Sequence, residues 1–171
     1  MPTYSIASLN ALEQTAFISC LSGVYEHSPW VAEHASLRRP FASVVELAAA
    51  MHTCVLAAGK LEQLALIRAH PELAGKLAIE GGLTTASHLE QSAAGLNKCT
   101  PQEFARISEL NQAYQEKFGF PFIIAVRGMA KAAIIAAMEQ RLAHPFDREI
   151  CTALDEIKRI ASFRLNDLVA D

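Results

Sequence analysis

The sequence predicts an all-α fold, a single-domain multi-helix bundle over residues 1–171 with one irregular apolar segment lining a pocket. Three observations carry that expectation. Helix-start signals recur along the chain, and the apolar residues behind them fall at helical spacing. No stretch alternates apolar and polar residues with period two for long enough to suggest a sheet. A chain of this length buries roughly 70% of its extended-state surface, which is ample for one core.

The elements follow in order. Asn10-x-x-Glu13, Ser43-x-x-Glu46 and Thr100-Pro101-x-Glu103 read as capping boxes, the last with proline at the favoured first helical position. Ser28-Pro29 opens another short helix. Val44, Leu47, Met51 and Val55 form one apolar stripe, and Leu61, Leu64 and Ala65, with Arg68 a further candidate, continue it after a break at Gly59. Residues 128–142 are alanine-rich and apolar almost all round, which predicts a central helix. The last helix is predicted from about Asp147 to Leu168, with Ile150, Leu154, Ile157, Ala161, Leu165 and Leu168 on one face.

Composition excludes several classes of function. The net charge is −3 and the 15 Lys and Arg are scattered, whereas nucleic-acid binders carry a basic stripe or patch. No apolar run approaches the ~18 residues that a membrane span needs. The first thirteen residues lack a basic region and a continuous apolar stretch, and the C-terminal residues match no targeting address, so a cytoplasmic protein is expected. The four cysteines, Cys20, Cys54, Cys99 and Cys151, form no CxxC pair and read as buried free thiols. Six histidines raise the question of a metal, but no HExxH is present. His27 and His34, near Glu26 and Glu33, are a weak signal, and no metal is expected.

Four segments depart from a plain helical pattern. In Ala69-His70-Pro71-Glu72-Leu73, proline disfavours the α region for the residue before it, so the preceding helix ends at His70. His70 then sits beside orphan carbonyls that favour its protonated form. Two readings stand: it caps its own helix, or it is aimed into a cleft. In Ser87-His88-Leu89-Glu90-Gln91, positions 87, 90 and 91 share one helical face. Glu90 is the only charge between Gly81 and Leu96, and a carboxylate so isolated suits a pocket better than bulk water; the other reading is an ordinary exposed glutamate on a helix of low charge. The run from Phe118 to Arg127 holds Gly119 and Pro121, poor helix formers, and is expected to be extended or irregular and buried. Buried irregular backbone needs hydrogen-bond partners, from the core or from a planar polar ligand such as a cyclic amide. Finally, Arg164 falls on the apolar face of the last helix: buried there, its guanidinium needs an anion from protein or substrate, and the other reading is an arginine that snorkels past the stripe edge to water.

Together these segments resemble the 2-oxo-4-hydroxy-4-carboxy-5-ureidoimidazoline (OHCU) decarboxylase family. The resemblance lies in AHPELAGK at 69–76, S-x-x-EQSAAGL at 87–96, LNQAYQEKFGFPFIIAVRG at 110–128 and RLAHPFDREICTALDEIKRIASFRLNDL at 141–168. SPW at 28–30 fits as well. It covers nearly the whole chain in the right order.

The resemblance implies an all-helical, cofactor-free homodimer acting on OHCU in urate breakdown. It implies that His70 is the proton donor and Glu90 its partner carboxylate. Pro71, Ser87 and Gln91 would line the pocket, and the main chain of Phe122, Ile123, Ile124, Ala125 and Val126 would grip the ring. Arg164 would face the substrate anion or Glu90. The chemistry agrees with these residue types. Carbon dioxide leaves a hydroxyl-bearing ring carbon beside a C=N bond that accepts the electron pair, so no pyridoxal or thiamine sink is required. Glu90 suits the hydroxyl, and His70 suits proton delivery to one face, which would give (S)-allantoin. Two rival classes stand beside this one: a helical binding or scaffold protein without catalysis, and a metal-dependent hydrolase using His27, His34, His52 or His88.

Overall fold

The computed structural model describes residues 3–75 and 81–171. Lys76, the last residue of the AHPELAGK string, lies outside them. Nine α-helices account for most of the described chain, joined by one 3-10 turn and a single two-residue parallel bridge, so the fold is all-α. The described residues divide into two compact units. One runs up to Ala69 and includes Lys158–Asp171; the other runs from His70 to Ile157.

The first unit holds β1 (Tyr4–Ser5), α1 (Ile6–Ala11), α2 (Gln14–Leu21), α3 (Trp30–Ser36), α4 (Val44–Ala57), α5 (Lys60–Ala69) and the end of the last helix with β2 (Val169–Ala170). β1 and β2 pair Tyr4 with Val169 and Ser5 with Ala170. Ser43 caps α4 by accepting from the Glu46 amide, and the stripe Val44, Leu47, Met51 and Val55 is buried as predicted. The Glu46 carboxylate reaches back to the Ala42 amide rather than to Ser43, so the box is only half closed.

Two local readings are corrected here. Asn10 caps nothing. It lies inside α1, whose reciprocal capping box is Ser5 with Ser8, and its amide pairs with both main-chain groups of Phe41. The residue ahead of α2 is Glu13, which makes no side-chain cap. The stripe also does not run on through α5, where Leu61 is 81% exposed and Leu66 and Ile67 turn inward instead. The cause is geometric: α4 and α5 meet at a bend of 119°, which resets the helical phase beyond Gly59.

The second unit holds α6 (Thr85–Ala93), the 3-10 turn Leu96–Lys98, α7 (Pro101–Phe118), α8 (Lys131–Arg141) and the start of α9 (Phe146–Leu168). The Thr100/Glu103 capping box and Pro101 open α7 as expected, and α9 matches its predicted span within one residue. Ile150, Leu154, Ile157, Ala161 and Leu165 are buried, while Leu168 is only partly so.

The alanine-rich stretch is not a central helix. α8 begins at Lys131 and buries only Ile134, Met138 and Arg141, with Ala132, Ala133 and Ala136 exposed. Alanine is rich there because it favours helix, not because it is inside. The cysteines are free as expected, but only Cys54 is buried and Cys151 is exposed.

Candidate active site

α5 stops at Ala69, and the chain bends at His70, which is 7% exposed. Pro71 follows, and the next three residues are tied down through their main chain. From α6, the Gln91 amide donates to the Glu72 carbonyl at 3.3 Å and accepts from the Ala74 amide at 3.0 Å. From α7, Asn111 Nδ2 donates to the Leu73 carbonyl at 2.9 Å. Ala74 has φ +49°, a left-handed conformation that costs a residue with a side chain about 1–2 kcal/mol. The two amides hold it there. Gln91, expected to line a pocket, therefore has both ends of its side chain committed to the loop that follows His70.

Thr84 caps α6 by accepting from the Ser87 amide. Ser87 and Gln91 are buried and Glu90 partly so, on the shared face that their spacing requires. A cavity of about 330 Å³ opens on this helix, lined by residues that include Ala74, His88, Gln91, Ser92 and Phe104. Of the described residues expected to catalyse or bind substrate, Gln91 contributes to it; His88, named for the metal-dependent reading, lines it as well.

The apolar segment is bracketed by Gly119 and Gly128, at φ +71° and +77°, which end α7 and turn the chain toward α8. Between them, Pro121 to Val126 run without helix, turn or bend, and all are buried. Three main-chain groups of the segment are held by protein. Arg141 Nη1 donates to the Ile123 carbonyl at 2.7 Å, the Ala125 amide donates to Glu156 Oε2 at 2.8 Å, and the Met129 amide donates to the Val126 carbonyl at 3.0 Å.

Behind this segment lies a polar cluster that the sequence did not announce. Glu149 is 0% exposed and accepts from Arg141 Nε at 2.7 Å, from Arg141 Nη2 and from the Tyr114 hydroxyl. His144 Nδ1 lies 2.7 Å from its other oxygen. Burial, and then the adjacent Glu149 carboxylate, push the Tyr114 phenol well above its usual range, so it stays a donor. The Arg141 guanidinium also sits 4.3 Å over the Phe122 ring. One signal for it was readable: Arg141 lies seven residues after Ile134 and three after Met138, on the buried face of α8.

Arg164 belongs to the first unit and is buried beside an anion rather than reaching past the stripe to water. Its Nη1 lies 2.8 Å from Glu26 Oε2 and donates to the Gly23 carbonyl at 3.3 Å; the two side chains are 8% and 2% exposed. Glu26 had entered the sequence reading only as a neighbour of His27. No three His, Cys, Asp or Glu side chains converge as a metal site among the described residues.

A buried histidine at a helix end and a half-buried carboxylate on a helix with no other Lys, Arg, Asp or Glu are groups of the kind an acid–base enzyme uses. Comparison with known proteins narrows the class. The family model for OHCU decarboxylase matches residues 10–166. The 2-oxo-4-hydroxy-4-carboxy-5-ureidoimidazoline decarboxylase of Haloferax volcanii is 42% identical over 165 residues, covering 96% of each chain. The crystal structure of an (S)-allantoin synthase superposes with a TM-score of 0.78 at 31% identity; the match covers 96% of this chain and 54% of that one. An OHCU decarboxylase structure determined in the presence of (S)-allantoin has the same fold, with a TM-score of 0.68 at 22% identity over 90% of this chain and 96% of that one. The chain belongs to the OHCU decarboxylase family.

Proposed function

We propose that this protein decarboxylates OHCU to (S)-allantoin in urate breakdown, with His70 and Glu90 as its acid–base pair. The observation that carries the reading is the family relationship, which spans 96% of the chain. The His-Pro, Ser-x-x-Glu-Gln and Phe-Gly-Phe-Pro-Phe motifs lie inside that span. In the reaction, the bond from the ring carbon to its carboxylate breaks and the electron pair passes toward the adjacent C=N. Carbon dioxide leaves an enol-like intermediate. Glu90 takes up the hydroxyl proton or orients it, His70 returns one proton to a single face of the carbon that bears the ureido group, and the ring nitrogen that received the electron pair takes a proton from water. Ser87, Pro71, the Phe122–Val126 main chain and Arg164 bind and orient the substrate in this reading. The chemistry calls for no metal and no organic cofactor. A buried, hydrogen-bonded setting favours the reaction because it holds the carboxylate out of the ring plane away from water. The family resemblance supports a homodimer, which light scattering tests, and a cytoplasmic location is read from the sequence and tested by fractionation.

The deciding experiment is circular dichroism of freshly generated urate-oxidation product, with and without the protein, in the presence of a chelator. Rapid growth of one enantiomer is expected, slowed about 10²–10⁴-fold by His70→Ala or Glu90→Gln. Racemic product at the spontaneous rate would overturn the decarboxylase reading. Normal turnover and stereochemistry in both variants would overturn the residue roles.

A further inference from the structure

We propose that Arg141 is a positioning residue: locked by Glu149, it holds the Ile123 carbonyl and so turns the opposite edge of Phe122–Val126 toward a cyclic ureide. The inference rests on the reading of that segment as the part that grips the substrate ring.

Stability alone does not account for the Glu149 cluster. A buried ion pair is often no more stabilising than apolar residues of the same volume, because desolvation offsets the Coulombic gain. Yet Glu149 gathers Arg141, Tyr114 and His144 in a fully buried position. What the cluster yields is a fixed guanidinium. The group is planar, so with Nε and Nη2 on Glu149 its remaining Nη1 has one direction open. That direction ends 2.7 Å away on the Ile123 carbonyl, and the face of the same group covers the Phe122 ring.

The backbone completes the case. In an extended chain, the N–H and C=O of one residue point to the same edge, and those of its neighbours to the other. Ile123 and Ala125 therefore share an edge, and protein occupies it through Arg141 and Glu156. Ile124 faces the opposite edge. It is 8% exposed, and among the described residues neither of its main-chain groups makes a hydrogen bond. An N–H and a C=O side by side complement the adjacent C=O and N–H of a cyclic ureide, and do so only while the segment keeps its rotation. Arg141 and Glu156 set that rotation.

The test is Arg141→Lys in the full-length protein. Lysine keeps a cation against Glu149 but loses the fork that reaches Ile123. The expected result is a KM for OHCU raised by about tenfold or more, with kcat changed less and the pH–rate profile unmoved. In the ligand-free protein, amide hydrogen exchange should quicken at residues 122–126 and remain as in wild type along α6. A lower unfolding temperature with wild-type KM and wild-type exchange at 122–126 would overturn the inference and leave Arg141 a structural residue. Should Arg141→Lys not fold, Glu156→Leu removes the acceptor at the Ala125 amide and is read in the same way. A wild-type protein that fails to turn over OHCU sinks the proposed function instead, and the ligand-free exchange still decides whether Arg141 holds the segment.

Discussion

Removing Glu26 asks most directly what Arg164 does. The two side chains are nearly out of water, and the ionic contact is 2.8 Å. Taking one partner from such a pair leaves a buried charge uncompensated, at about 3–5 kcal/mol. The contact of Nη1 with the Gly23 carbonyl, at 3.3 Å, is too long to offset the loss of the carboxylate. Glu26→Gln, which keeps an acceptor oxygen, belongs at the lower end; Glu26→Leu belongs at the upper. Against a total stability of about 5–15 kcal/mol, either change is large. The double variant Glu26→Leu/Arg164→Met replaces the pair with apolar volume and should recover most of the loss. Urea unfolding at neutral pH, followed by circular dichroism, gives all four stabilities. Single variants within about 0.5 kcal/mol of wild type would refute the reasoning, because that is the range of an ordinary surface change. Turnover of the double variant then separates two roles. If activity returns with stability, Arg164 is a counter-ion for Glu26. If stability returns and activity does not, Arg164 acts on the reaction.

Two further outcomes follow from the second unit. Gln91→Leu removes both bonds from the α6 amide to the loop and should cost about 1–3 kcal/mol, with faster exchange at the amides of 72–75; unchanged exchange there would show that the amide clamps nothing. The Glu103 carboxyl is held below its ordinary range, first by the hydrogen bond from Lys131 at 2.6 Å and then by the Thr100 amide. A carboxyl with a lowered folded pKa stabilises the protein above its unfolded value near 4.5, and that stability is lost as the pH falls through the folded value. Glu103→Gln should therefore be less stable than wild type at neutral pH, with the gap closing in acid. A gap that stays constant in denaturation series across pH would contradict the assignment.

The fold was legible wherever a local signal determines a local outcome. Ser43, Thr100 and Pro101 start helices because a cap needs only its next three residues. The His70-Pro71 break and the Gly119/Pro121 interruption were readable for the same reason. The misreadings are those where the outcome depends on more than one element. Asn10 has the residue type and spacing of a cap, but its amide is taken by Phe41, 31 residues away. Leu61 continues a stripe on paper, but the 119° bend at Gly59 turns it to solvent. The candidate site divides in the same way. Ser87, Glu90 and Gln91 share a face by helical geometry, so their grouping was visible. Asn111 reaches across 38 residues to Leu73, and Glu26 across 138 to Arg164, and no spacing rule spans such distances.

Arg141 and Arg164 show where that boundary lies. Each projects from the apolar face of its helix, and each meets a buried glutamate, as the cost of desolvating a guanidinium demands. Periodicity predicts that much for both. It says nothing about the remaining donors of the fork, which are where the two residues differ. Arg164 Nη1, already paired with Glu26, also donates to the Gly23 carbonyl in the turn after α2, whereas Arg141 Nη1 is free of Glu149 and holds the carbonyl of Ile123 in the buried apolar segment. An extended segment has its polar edges open, and whichever side chain occupies one edge decides what the other edge can bind. The interruption at Gly119 and Pro121 and the arginine on α8 are therefore two halves of one device, one exposing backbone and the other orienting it.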